Sequence, residues 1–336
     1  MIRLFGISDK TYTSNGDVVL NPIKCAVKNA DNGDFTLTAT CTLEYLPYIE
    51  NNAIIVAPTP AGDQPFRIYD VQKNNYKVEV KAKHVTHDAD NYVIADSYVV
   101  DKDGEEALLH LNNATDTTSP FTVSSDVLHV DSYRCVRKSL EEAILEVQSR
   151  WGGHIVRKDW SISLLSDISR DNGITIEYGK NLQSITADYD FSDVCTKVLP
   201  VGKDGQLLDT LYVVSSTQYE IPFTKVVTFE QDIEEDDYPT EEEYIEALKE
   251  DLLDQALKYV NTYCVPSVNY TLKGKPEIVS DIGDVIRVYD KRLGVNITTQ
   301  VISYEFDCIA EKYKSLEFGN FQKTLGDLVD YIKSKL

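Results

Sequence analysis

Phe35-Thr-Leu-Thr-Ala-Thr-Cys-Thr-Leu-Glu-Tyr45 sets Phe35, Leu37, Ala39, Cys41, Leu43 and Tyr45 against Thr36, Thr38, Thr40, Thr42 and Glu44. A period of two is the signature of a half-buried strand, because successive side chains leave opposite faces of the sheet. The same alternation returns in Tyr76, Val78, Val80, Ala82 and His84 against Lys77, Glu79, Lys81 and Lys83. Between the two lie Pro58-Thr-Pro-Ala-Gly-Asp-Gln-Pro65 and Lys73-Asn-Asn75, whose Pro, Gly, Asp and Asn are turn formers. Short strands at this spacing predict a small barrel or sandwich over residues 1–98.

Beyond Tyr92 the texture changes. Asp101-Lys-Asp-Gly104 reads as a turn and Asn112 to Pro120 as a polar loop. Ser139 with Glu142 forms a capping box, and Leu140, Ile144, Val147 and Trp151 make one apolar stripe that ends at Gly152-Gly153, so a helix is expected there. Strand-like stretches His154 to Leu165 and Gly173 to Tyr178 complete a small α+β unit over 99–178. Residues 179–225 and 265–320 again read as strands, and Ala53 to Val71 is echoed by Val285 to Glu305, which favours two related barrels. Residues 226–264 interrupt the second one. Thr240 with Glu243 caps a helix there, and its stripe Ile245, Leu248, Leu252, Ala256 and Val260 runs on to about Tyr263. Thr324 caps a short amphipathic helix over 321–336. The expected fold class is therefore β-rich α+β: two small β-barrel domains with an α/β insertion and a helical insertion.

The chain has 336 residues with 33 Lys+Arg against 55 Asp+Glu, a net charge of -22, and 42% hydrophobic residues. That hydrophobic content suits folded domains. The charge argues against any surface that clamps nucleic-acid phosphates or anionic lipid, since those need Lys/Arg patches. Half of it lies in residues 230–251, where twelve carboxylates accompany the single Lys249. Such a run is either a solvated helix face or a surface that repels DNA or meets a basic partner. No stretch is apolar for long enough to be a signal peptide or a membrane span, which places synthesis in a cytoplasm. Cys25, Cys41, Cys135, Cys195, Cys264 and Cys308 show neither zinc nor disulfide-framework spacing, so buried reduced thiols are expected.

Catalytic signatures are scarce. His84-Val-Thr-His87-Asp88 is the one cluster of potential metal ligands, but its spacing of three is not that of a helical zinc protease, and the alternation buries His84. Gly202-Lys-Asp-Gly205 lacks the spacing of a phosphate loop, and Asp101-x-Asp103-Gly104 follows a calcium loop for only four residues. No nucleophile elbow is present. No cofactor or metal is expected.

Two segments carry a resemblance. Tyr178-Gly-Lys-Asn-Leu-Gln-Ser-Ile185 runs on to Asp193-Val-Cys-Thr-Lys197 and Gly202-Lys-Asp-Gly205; Ile282-Gly-Asp-Val-Ile-Arg-Val288 is followed by the strand Gln300 to Glu305 and by Leu316-Glu-Phe-Gly-Asn320. With Val80 to His84 and Asp88, their order and spacing resemble the bacteriophage tail-hub family, known as the prophage tail endopeptidase or minor structural protein amino-terminal region. The motif positions are Asn181, Leu182, Gly202, Lys203, Asp204, Gly205, Gly283, Asp284, Gly319 and Asn320. The resemblance implies a hub of two barrels with the two insertions. Three copies would form a ring at the tail tip, around a DNA passage that binds no sequence. Its partners would be the distal tail protein and the tube and tape-measure proteins, and its location the virion, after assembly in the host cytoplasm. It also implies that peptidase activity belongs to an appended module. This chain stops at Leu336, soon after Asn320, so a non-catalytic structural role is expected. The rival readings are a cell-wall peptidase using His84, His87 and carboxylates, and a host-surface carbohydrate-binding module using the 21 tyrosines.

Overall fold

A computed structural model describes residues 1–50, 52–177, 184–217, 219–231, 233, 238–273, 281–290 and 295–319. The first strands are β1 (Ile2–Phe5), β2 (Val18–Leu20), β3 (Lys24–Ala30), β4 (Phe35–Cys41), β5 (Ile54–Thr59), β6 (Gly62–Lys73) and β7 (Val78–His84). Next come β8 (Val93–Lys102), α1 (Gly104–Asn113), β9 (Thr122–Ser125), β10 (Asp131–Ser139), α2 (Leu140–Trp151), β11 (His154–Lys158) and β12 (Ser161–Leu165). The rest are β13 (Arg170–Glu177), β14 (Ser184–Asp190), β15 (Lys197–Val201), β16 (Val213–Val214), β17 (Thr224–Thr228), α3 (Glu241–Tyr263), β18 (Ser267–Lys273), β19 (Asp284–Asp290), β20 (Val295–Asp307) and β21 (Lys312–Gly319). The fold is β-rich α+β, as expected.

The strands do not fall into two separate sheets. One mixed sheet of thirteen strands runs β14-β18-β21-β20-β3-β4-β7-β6-β5-β1-β2, with β19 also on β20 and β13 on β19. No closed barrel is recorded among the described strand pairings. The join is β20, long enough to serve two neighbours along one edge: Val295 to Gln300 face β19, and Ser303 to Asp307 face β3.

The internal echo is visible in this topology. The order β1-β5-β6-β7-β4-β3 matches β13-β19-β20-β21-β18-β14. In the first set Ile68 faces Ala82 and Asp70 faces Lys81, so Tyr69 is an extra residue; in the second, Val301 faces Phe318 and Ser303 faces Glu317, so Ile302 is extra. A bulge bends and twists its strand at a fixed place, and here both sets bend at the same place. One pairing differs: β1 meets β5 antiparallel, whereas β13 meets β19 parallel.

Burial follows the alternation where the strand is regular. Phe35, Leu37, Ala39 and Cys41 point inward from β4, and Val78, Val80, Ala82 and His84 from β7. Tyr76 does not join them. The Asn74 side-chain oxygen accepts from the Tyr76 and Lys77 amides, and this turn leaves Tyr76 86% exposed. Likewise β4 stops at Cys41, and a 3-10 turn, Leu43–Tyr45, exposes Leu43. The bulge takes Ile302 out of the inward row that Val301, Tyr304 and Phe306 keep.

The described residues divide into two compact units, residues 1–186 with 270–319, and residues 187–269. In the first, α1, α2 and strands β8 to β12 enclose a core that includes Leu108, Leu111, Tyr133, Leu140, Ile144, Val147, Trp151 and Ile162. Burying each such side chain stabilises by about 1.5–3 kcal/mol. The Ser139–Glu142 capping box is present as expected. Helix α1 falls where the sequence reads as turn and loop: Asp103 accepts from the Glu106 amide, and Ala107, Leu108 and Leu111 are buried. In the second unit, β16-β15-β17 form a sheet of their own, and α3 covers it with Leu248, Leu252, Ala256 and Val260. Residues 179–225 are therefore divided, with β15 and β16 lying in this sheet. The expected helix at 321–336 lies outside the described residues.

Candidate functional site

The buried polar cluster around His84 is built where β7 ends and the α+β segment meets the sheet. His84 is fully buried, its ring stacked on Phe35 at 4.7 Å and 7°. The Gln64 Oε1 accepts from the Asp159 amide at 3.0 Å, so the His84 Nε2, 3.1 Å away, is the donor. The His84 Nδ1 is then the acceptor and takes the Thr86 hydroxyl at 2.9 Å. That is a neutral imidazole with both nitrogens engaged. Burial, with help from Arg157 and His87, holds its pKa well below the usual histidine value.

His87 is placed similarly. Its Nε2 accepts from the Phe35 amide at 3.4 Å, and its Nδ1 donates to Glu141 Oε1 at 3.0 Å. Arg157 completes the group with a fork onto both Glu141 oxygens at 2.6 and 3.2 Å and a third bond to Thr86 Oγ1. Burial alone would raise the Glu141 carboxyl, but His87 and Arg157 outweigh it and hold it below the usual carboxylate range. Nearby, Arg67 bonds Asp88 at 2.6 Å, and burial keeps that carboxyl raised against the guanidinium. The β3–β4 turn adds His154 to Asp31 at 2.9 Å and the Ile155 amide to Asn32 Oδ1 at 2.7 Å. These groups fasten strands β11 and β12 and helix α2 to the sheet. They do not present a base to solvent. Among the described residues no group of three or more His, Cys, Asp or Glu is arranged to hold a metal ion.

The motif glycines sit at two tight turns. Gly283 has φ +88, and a Cβ there would lie 2.3 Å from the Ile168 carbonyl oxygen, so no other residue fits. Its amide donates to Val301 O on β20, and Asp284, almost wholly buried, accepts from Arg170 Nε at 2.9 Å. Arg170 also holds Ile282 O at 3.1 Å. Gly319 ends β21 opposite Gln300, so Gly283, Asp284 and Gly319 flank the same stretch of β20. Burial raises the Asp281 carboxyl in this turn, opposed by the Ile282 amide and Arg170.

The turn Gly202, Lys203, Asp204 and Gly205 belongs to the second unit. A Cβ on Gly202 would meet Gln231 Oε1 at 2.3 Å. That buried amide is the organiser: it accepts from the Lys203 amide at 3.0 Å and donates to Leu248 O and Asp251 on α3 at 2.7 and 2.8 Å. Lys203 Nζ reaches Ile233 O. Asp204, at φ 55, and Gly205, at φ +80, supply the left-handed turn. Gln231, Arg157, Glu141 and Arg170 carry this architecture without having been singled out in the sequence, where an isolated Gln or Arg has no pattern. Asn181, Leu182 and Asn320 lie outside the described residues.

Five cysteines are buried, and Cys264 is partly exposed. Cys308 donates its amide to Cys25 O, and a hydrogen bond between the two side chains, then burial, raises the Cys25 thiol. No helix among the described residues is long and apolar enough to cross a membrane.

Solved structures share the fold. A prophage tail protein, gp18, from Listeria monocytogenes superposes with a TM-score of 0.67 at 11% identity, over 99% of this chain and 98% of that one. The 43 kDa tail protein of prophage MuSo2 from Shewanella oneidensis gives 0.65 at 10% identity, over 95% and 98%. The E. coli c3393 protein, a type VI secretion component described as structurally similar to the T4 tail proteins gp27 and gp5, gives 0.56 at 7% identity, over 97% and 77%. No curated protein sequence matches the chain. The family match begins where the second strand set begins: residues 170–329, from β13 onward and including the Gly202 and Gly283 turns, match the prophage endopeptidase tail family.

Proposed function

We propose that the chain is a structural phage tail protein, the hub of the tail tip in the virion, and that three copies form a ring around the DNA passage. The observation that carries this reading is the doubled strand set, with its order and its bulge repeated along one chain. Three such chains present six similar sets, and so reconcile threefold assembly with a sixfold tube. The prophage tail region and the likeness to solved tail proteins along nearly the whole chain support it. In this role the ring docks the distal tail protein and neighbouring tube and tape-measure proteins, and DNA passes without sequence-specific contacts. The role is non-catalytic: His84 and His87 spend both ring nitrogens on Gln64, Thr86, Glu141 and the Phe35 amide. Electron cryo-microscopy of the virion tip tests the proposal, with a threefold ring of this chain at the end of the tube as the expected result. A tip map without such a ring would refute it.

A further inference from the structure

In a chain of net charge -22, a concentration of lysines is informative. The outward face of β3, β4, β7 and β6 carries one. Its rows read Lys28, Thr36, Lys83; then Ala26, Thr38, Lys81, Asp70; then Lys24, Thr40, Glu79, Gln72. Lys77 stands just before β7. Lys81 pairs with Asp70 at 3.1 Å, Lys77 with Glu79, and Lys28 lies 3.8 Å from Glu305. Lys24 acts on Glu79 only through its charge, and the Lys83 ammonium sits 5.8 Å from the centre of the Tyr69 ring. Tyr69, at the bulge of β6, and Tyr76, in the turn before β7, are exposed.

The second unit offers the complement. Glu242, Glu246 and Glu250 are exposed along one line of α3, which continues into the exposed Leu253 and Leu257. Carboxylates four residues apart on a helix are spaced by about 6 Å, and lysines two apart on a strand by about 6.8 Å. One step of the acidic stripe therefore matches the step from Lys81 to Lys83 on β7.

We propose that the lysine face of β3, β4 and β7 receives the Glu242–Glu246–Glu250 stripe of α3 from a second copy of the chain. The contact joins two different surfaces of one sequence, so it is head-to-tail, the kind that closes into a ring. This deepens the hub reading, on which it rests, by naming a surface through which protomers meet. Nucleic acid is the other polyanion that lysines could take. The protein's own acidic field opposes it, whereas the acidic stripe is supplied by every protomer.

The test uses the full chain and reads its mass by sedimentation velocity at low and high salt. Parent protein should associate at low salt and dissociate as salt screens the contact. The variants Lys24→Glu/Lys83→Glu and Glu246→Lys/Glu250→Lys change exposed side chains, and unchanged circular dichroism checks their folding. Each should weaken association on the order of 10-fold, and an equimolar mixture of the two should restore it, because each then supplies the other's complement. Carbodiimide coupling of mixed light and heavy-isotope protein should join Lys24 or Lys83 to Glu246 or Glu250 between chains. A low-salt monomer, or association unchanged in both variants, overturns the proposal. So does binding of a labelled DNA duplex that only the lysine variant loses. A salt-insensitive trimer unaffected by either variant would remove this surface and leave the hub reading standing, whereas failure of the hub reading is seen in the virion map.

Discussion

Replacing Arg157 by Met removes the one cation in the cluster beneath the sheet. The side chains of Arg157 and Glu141 are 6% and 11% exposed, which decides how the change should be weighed. An exposed pair contributes about 0–1 kcal/mol, but breaking a buried pair strands a charge and costs about 3–5 kcal/mol. The count of bonds agrees. Two charge-assisted hydrogen bonds to Glu141 and one to Thr86 disappear, at roughly 1.5–3 kcal/mol each before Met packing returns part of it. The cost should also depend on pH. In the parent, the folded carboxyl of Glu141 lies below its usual range, so its contribution is complete above the unfolded value and is lost as pH falls through the folded one. In Arg157→Met only His87 still opposes burial, the folded carboxyl titrates higher, and its protonation relieves the stranded charge. The deficit should therefore be largest near neutrality and shrink as the pH approaches about 4 to 5. Urea unfolding followed by tryptophan fluorescence measures this cleanly, because Trp151 and Trp160 are the chain's two tryptophans and both lie in the first unit. A variant within about 0.5 kcal/mol of the parent at pH 7, or a deficit that does not shrink in acid, would refute the reasoning.

His84 gives a second pH signature: its folded value is depressed, so the unfolded chain takes up a proton that the folded one refuses. Stability should fall by about 1.4 kcal/mol per pH unit below about 6.5, and His84→Asn should flatten that slope in the same urea assay. Gly283→Ala places a Cβ against the Ile168 carbonyl at positive φ and should cost about 3–5 kcal/mol in thermal unfolding; a loss under 1 kcal/mol would mean that the turn relaxes freely. Gln231→Leu strands the Lys203 amide and should loosen α3 by about 2–3 kcal/mol, read as faster amide hydrogen exchange at Leu248 to Ala256 with the tryptophan transition unmoved. The purified chain should release no peptide from peptidoglycan, and turnover that His87→Gln abolishes would overturn the non-catalytic reading.

What the sequence disclosed was whatever has a period or a cap. Strands β4 and β7 and helices α2 and α3 could be read because alternation, capping boxes and apolar stripes are local properties. Helix α1 was hidden because Asp103-Gly104 resembles a turn, although Asp103 with Glu106 three residues later is also a helix start. Tyr76 was misread for a related reason: an Asx turn shifts the phase of an alternation without changing its residue types. The turn glycines were legible as turns. Their cause was not, since the Ile168 carbonyl and the Gln231 amide that exclude a Cβ stand far away in the chain. Glu141 with Arg157 and Arg170 with Asp284 are likewise tertiary facts.

The join at β20 bears on how the molecule is made. Strand β3 has β4 on one side, and its other edge is paired by Ser303 to Asp307, a stretch synthesised long after it. Until then the amides and carbonyls of Lys24 to Ala30 form an open edge, the kind that recruits foreign strands. Two features restrain it during that interval. Lys24 and Lys28 put charge on the outward side, and the contacts of His154 and Ile155 with Asp31 and Asn32 fix the β3–β4 turn using residues made long before β20. The His84 and Arg157 cluster acts in the same way, since every member precedes residue 160 and it can close as soon as β12 exists. The first strand set and the α+β segment thus have the parts of an early folding unit, and the second set completes it by lending half of its longest strand. A chain whose two strand sets share a strand does not come apart there into two independent sheets.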